Sequence, residues 1–162
     1  MFTDPKFKPT PEQKLMALEH VLYEMEMFIY LKILNLGTTS LKHAGIVNNA
    51  IVEAYLLHAR VLNDFFSKTP KKDDISCTHY CFKISEAVIA EEIENRFHKS
   101  LAHLTYSRLC FTGDTKAWID SKIYPPLAYR IKAFSTRILL RPNLNPTLRS
   151  RFSNLNTLLT AY

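Results

Sequence analysis

Glycine is nearly missing from this chain, and that limits the folds open to it. Only Gly37, Gly45 and Gly113 occur in 162 residues. Sheet-rich folds turn often and use glycine where the backbone must take a positive φ, so three are too few for most of them. No glycine-rich phosphate loop or dinucleotide fingerprint can be written with them either. Apolar residues recur instead at three and four, the spacing of helices that bury one face.

The helices follow from that period and its interruptions. Pro5, Pro9 and Pro11 mark residues 1–11 as an extended arm, and residues 12–162 form the bundle. Thr10 is placed to cap a first helix with Pro11 at its first position. Its stripe is Leu15, Leu18, Leu22, Met25, Ile29, Ile33 and Leu36, and Gly37 ends it. A second helix starts at Ser40, carries Val47, Ile51, Ala54, Val61 and Phe65, and stops at Thr69-Pro70. Residues 69–83 are mixed and polar, the longest expected loop. A third helix spans about 85–109 with Ile93, Phe97, Leu101 and Leu104 on one side, and a short helix holds Trp118. Pro125-Pro126 then restarts a helix through Leu127, Ile131, Phe134 and Ile138, and Asn145-Pro146 opens a last short one. The expected fold is all-α: a single-domain bundle of four main helices plus short C-terminal helices.

Charge is distributed unevenly. Residues 1–81 carry nine basic and nine acidic side chains, whereas residues 82–162 carry twelve against six. Beyond Asp120 seven basic residues occur and no acidic one, which points toward an anionic partner. Arg130, Arg137 and Arg141 fall on one face of their helix, opposite its apolar side, and are the candidate RNA-binding residues. A plain solvated basic face accounts for the same pattern. With no apolar run long enough to span a bilayer and no signal-like N-terminus, the expectation is a cytoplasmic chain with no membrane partner.

Three cysteines, Cys77, Cys81 and Cys110, do not make a disulfide framework. Cys77, His79 and Cys81 are close enough in sequence to suggest a metal, but a structural zinc wants a fourth ligand, so neither a metal nor another cofactor is expected. His58 lies in the apolar stripe of the second helix and reads as a structural histidine. Asn49, Glu53, Arg60 and Asp64 gather within about 60° on the other side. They form either a solvated face with an Arg60–Asp64 pair or an interior or interface face where Glu53 and Arg60 orient other groups.

The third helix carries the sharpest candidate. Arg96 and His103 are two turns apart, about 20° from each other on an ideal helix, with Glu92, Lys99 and Ser100 flanking them. A guanidinium that grips phosphate beside an imidazole that moves a proton near neutral pH is suited to phosphodiester cleavage.

The spacing, with six residues between Arg96 and His103, resembles the Arg-x4–6-His motif of the HEPN superfamily of small helical bundles. The run Glu53-Ala54-Tyr55-Leu56-Leu57-His58-Ala59-Arg60-Val61-Leu62-Asn63-Asp64-Phe65-Phe66 is similar to uncharacterised bacterial members, as is Ala102-His103-Leu104-Thr105, and the likeness extends over about residues 12–140. It implies a homodimer that binds RNA and acts as a metal-independent endoribonuclease. Arg96 would hold the phosphate and His103 would be the general acid and base at the dimer interface, with Asn95, Glu53, Arg60, Lys99 and Ser100 in support. The alternative is a non-catalytic dimeric module that binds a protein partner. There Glu92 and Arg96 form a salt bridge and His103 is an interface residue. Phe97, directly after the arginine where active members carry a polar residue, favours this alternative.

Overall fold

The computed structural model describes residues 8–35, 44–67, 69–70, 73–101 and 117–161. Among these residues five α-helices run in the order α1 (Pro11–Asn35), α2 (Ala44–Phe65), α3 (Glu91–Arg96), α4 (Tyr124–Leu139) and α5 (Pro146–Ala161). Short 3-10 turns occupy Cys77–Tyr80 and Asp120–Lys122, and a π-helical turn, Phe97–Leu101, continues α3. No strand occurs among the described residues. The all-helical bundle stands as the sequence indicates.

Helix starts follow local chemistry. Thr10 Oγ1 accepts from the Gln13 amide at 3.2 Å while Gln13 Oε1 accepts from the Thr10 amide at 2.8 Å, a reciprocal cap. Asn145 Oδ1 accepts from the Thr147 amide at 2.8 Å and starts α5. Two prolines stand in the first turn of α4, where their missing N–H groups would have had no helical acceptor.

α1 packs along α2, α4 packs along α5, and α5 also touches α1. Between these layers Phe134 of α4 meets Phe65, Tyr80, Phe82 and Phe66 at ring separations of 5.1, 5.6, 5.5 and 6.0 Å. These are edge-to-face contacts, the arrangement that aromatic quadrupoles favour. All four members of the expected α4 stripe, Leu127, Ile131, Phe134 and Ile138, are fully buried.

Several expectations change. The third helix begins at Glu91 rather than near 85, because residues 85–90 form bends and Ala90 offers no side-chain cap. Trp118 precedes the 3-10 turn and lies on no helix. α2 is partly rotated from its expected phase: Phe65 is buried and Ile51 and Ala54 pack against the core, but Tyr55, Leu56, Ala59, Leu62 and Phe66 are its most buried apolar residues besides Phe65, and Val47 and Val61 are exposed. The last helix, α5, has 16 residues, as many as α4, and is a main helix rather than a short one.

The expected loop 69–83 is a packed seam. Ser76 caps its 3-10 turn reciprocally with His79, and Tyr80 is buried. The Tyr80 hydroxyl donates to the Lys14 carbonyl of α1 at 2.9 Å, and its own carbonyl accepts from Arg141 at 3.3 Å. Burial pushes that hydroxyl's pKa up to about 12, against the pull of Arg141.

Candidate functional site

Arg96 is half-buried at the end of α3. Its guanidinium donates to the Ala117 carbonyl at 3.0 Å and lies 4.2 Å from the centre of the Trp118 ring. Phe97 stacks on the same indole at 5.5 Å. A flat guanidinium on an indole is a favourable cation–π contact. Burial lowers the Arg96 pKa from its usual value, and the neighbouring Glu92 carboxylate opposes that shift.

His103 lies outside the described residues, and with it any Arg96–His103 distance. The described part of the interval still bears on their relative phase. The same-face expectation needs 100° per residue throughout, whereas Phe97–Leu101 winds as the wider π turn. Within the described residues the α-helical phase is therefore interrupted directly after Arg96. Asn95 and Lys99 are exposed on this segment, and Ser100 belongs to the π turn.

On α2, Asn49, Glu53 and Asp64 are exposed and Arg60 is half-buried, on the side of the helix away from the core. His58 is buried with Nδ1 2.6 Å from Glu24 Oε2 of α1. A carboxylate only accepts, so Nδ1 carries the proton. The ring of Tyr23 meets His58 edge-on at 5.9 Å. This clasp between α1 and α2 leaves His58 structural, bound to a carboxylate across the hairpin.

The C-terminal basic residues bind largely within the bundle. Arg130 lies 3.4 Å from Glu86, and its side chain is only 16% exposed. Arg141 donates to the Tyr80 carbonyl and lies 5.5 Å from that ring. Arg149 donates to the carbonyls of Leu139 at 2.8 Å and Arg141 at 2.7 Å, closing the end of α4. Arg151 grips Glu26 of α1 with two donors, at 3.0 and 2.5 Å. Of the three candidate RNA contacts, Arg137 is the exposed one.

A network that the sequence reading did not anticipate lies near Trp118. Asp120 accepts from Lys32 at 2.8 Å and from the Tyr55 hydroxyl at 2.9 Å. Tyr55 stacks on Phe28 at 4.9 Å, and Lys32 lies 5.6 Å from the Tyr124 ring. Burial, then the Asp120 charge, raises the Tyr55 pKa far above the ordinary phenol value, so it stays a donor. Nothing local in sequence marks this triad, whose members come from α1, α2 and the turn before α4.

Two concavities among the described residues suit phosphate poorly. A cavity of about 380 Å3 between α1, α2 and residues 73–75 has Glu24, Asp64, Asp73 and Asp74 in its lining against His20. A smaller one of about 190 Å3 is lined by Lys14 and His79 but also Asp73 and Asp74. Among the described residues no three metal-ligating side chains converge: the Cys77 thiol is buried 3.7 Å from the Phe82 carbonyl, and Cys81 is exposed. No helix there is long and apolar enough to cross a membrane.

The outer surface of the α1–α2 hairpin exposes large apolar side chains beside the polar Glu19, His20, Asn49, Glu53 and Asp64. Met16, Tyr23, Tyr30 and Leu34 on α1 and Ile46, Leu57 and Val61 on α2 are exposed. The low-resolution signal for this face was present in sequence, since α1 has more apolar positions than one stripe can hold.

No protein-family model, curated protein or solved structure matches this chain.

Proposed function

We propose that this chain is a non-catalytic helical protein-interaction module whose working surface is the outer face of the α1–α2 hairpin. The observation that carries the reading is the exposed apolar stripe of α1, which lies opposite the stripe that builds the core. Contiguous exposed apolar surface of this kind marks interaction sites. Most of the arginines that suggested an anionic partner support the same reading, because Arg130, Arg141, Arg149 and Arg151 are held by carbonyls and carboxylates of the bundle itself, while Arg137 is exposed.

A HEPN-like bundle fits within this proposal, since the resemblance admits non-catalytic members. Its other implication, an RNA-binding, metal-independent endoribonuclease acting through Arg96 and His103, is a second reading favoured by one observation. The π turn stands between the two residues, and such turns are frequent at functional sites.

RNA cleavage in EDTA separates the two. The module reading expects none from wild type. Cleavage that leaves 2′,3′-cyclic phosphate ends, and that is lost in a folded His103→Ala variant, overturns it and establishes the nuclease.

A further inference from the structure

The outer stripe of α1 has a sequence that selects its own occupant, a step that rests on the interaction-module reading and narrows it. Met16, His20, Tyr23, Met27, Tyr30 and Leu34 follow at four, three, four, three and four; five of them are exposed, and Met27 is half-buried against the core. That alternation is the repeat by which one helix lies along another. The core stripe of the same helix, which includes Leu18, Leu22, Met25 and Ile29, points the other way. A surface helix normally gives one stripe to its core and turns polar residues outward. α1 instead has two.

The outer stripe is also palindromic about Met25. An antiparallel copy turned about a two-fold axis there sets Met16 against Leu34 of the second copy, His20 against Tyr30 and Tyr23 against Met27. Each pairing is chemically matched: aliphatic ends, an imidazole with a phenol, and a thioether with a ring. A parallel copy would instead set His20 on His20 and bring each Glu19 beside its equivalent.

Charge at the axis permits the antiparallel approach. Glu24 and Glu26 are the carboxylates closest to Met25, and within each protomer His58 holds the first and Arg151 the second. Length and area fit as well. Met16 to Leu34 spans about 27 Å of helix. A standard interface needs roughly 800 Å2 per partner, more than one stripe supplies. α2 extends the surface through Val61, which is exposed and lines a cavity with His20. We infer that α1 pairs with α1 of a second copy of this chain, antiparallel, about a two-fold axis at Met25.

The test is a charge swap read by sedimentation velocity at tens of micromolar. Met16 and Leu34 are 70% and 51% exposed, so Met16→Glu and Leu34→Lys should leave the fold intact, as circular dichroism checks. Wild type is expected to be dimeric, and each single variant to dissociate at least about tenfold more readily. The double variant should recover wild-type affinity, because an antiparallel pair sets each new carboxylate against a new ammonium. A monomeric wild type, or a double variant as weak as the singles, overturns the inference. A dimer indifferent to both substitutions also overturns it, yet leaves the module reading standing on another face. Cleavage of RNA that depends on His103 removes the non-catalytic reading without touching the pairing.

Discussion

In the α4–α5 pair, charged side chains reach inward; in the α1–α2 hairpin, apolar ones reach outward. Arg149 closes the end of α4, Arg141 ties it to Tyr80, and Arg151 crosses to Glu26. α1 and α2, by contrast, leave Met16, Tyr23, Tyr30, Leu34, Leu57 and Val61 exposed. The half of the sequence with the charge excess is therefore not the half with the exposed apolar helix face. Net charge describes a chain's composition, whereas a recognition surface depends on which charges remain after the fold has used its share. A long arginine side chain can satisfy carbonyls at a helix end with several donors, so basic residues near such an end need not face a ligand.

The two regions share one core, and the largest expected effect falls where they meet. Phe134→Ala removes the ring that four other aromatics surround edge-on and leaves a cavity, at a cost of about 3–5 kcal/mol in urea denaturation. A loss under about 1 kcal/mol would mean that the halves are stabilised separately. Arg149→Met tests the inward arginines. It keeps most of the aliphatic stem but leaves the Leu139 and Arg141 carbonyls without their charged donor, for an expected loss of about 1–3 kcal/mol. If stability is unchanged, the C-terminal charge belongs to the solvent after all, and the contrast between the halves weakens.

The legible parts of this fold are those where a single residue type has one local solution. Thr10-Pro11 and Asn145-Pro146 start helices because a side-chain oxygen or a missing N–H meets the first turn in only one way. The α4 stripe was legible because that helix has one apolar face. α2 was not, because apolar residues surround most of it and periodicity cannot choose among several phases. Tyr55 and Leu62, rather than Val47 and Val61, went inward when α1 came to lie against them. For the candidate site, the sequence brought Arg96 forward but not its carbonyl and indole partners, since a backbone acceptor has no letter of its own. Asp120 lies 88 residues from Lys32 and 65 from Tyr55, and no spacing rule reaches that far.

The seam between the regions should also respond to pH. Burial, then the charge of Lys14, lowers the His79 pKa below its ordinary 6.5. The folded state thus favours the neutral ring, whose Nδ1 accepts from the Ser76 amide at 3.4 Å. An unfolded chain binds the proton first, so this contribution is whole above about pH 6.5 and is lost as pH falls through the lower folded value. Urea midpoints at pH 7.5 and 5.5 should fall further for wild type than for His79→Gln, which keeps an acceptor without the titration. Equal falls would place the acid sensitivity elsewhere in the bundle.

The smallest effect on the single chain is expected at Met16, and its dependence on concentration gives it value. The side chain is 70% exposed, so Met16→Gln should change the stability of an isolated protomer by no more than about 0.5 kcal/mol. Pairing through α1 alters that expectation in one direction only. A folded dimer stabilises its subunits by mass action, so wild type should gain stability as protein concentration rises while Met16→Gln gains less. Thermal unfolding followed from low to high micromolar protein therefore gives two curves that coincide when dilute and separate when concentrated. Parallel curves would mean that Met16 faces only water, and the outward apolar surface of the hairpin would lose its most exposed α1 contact.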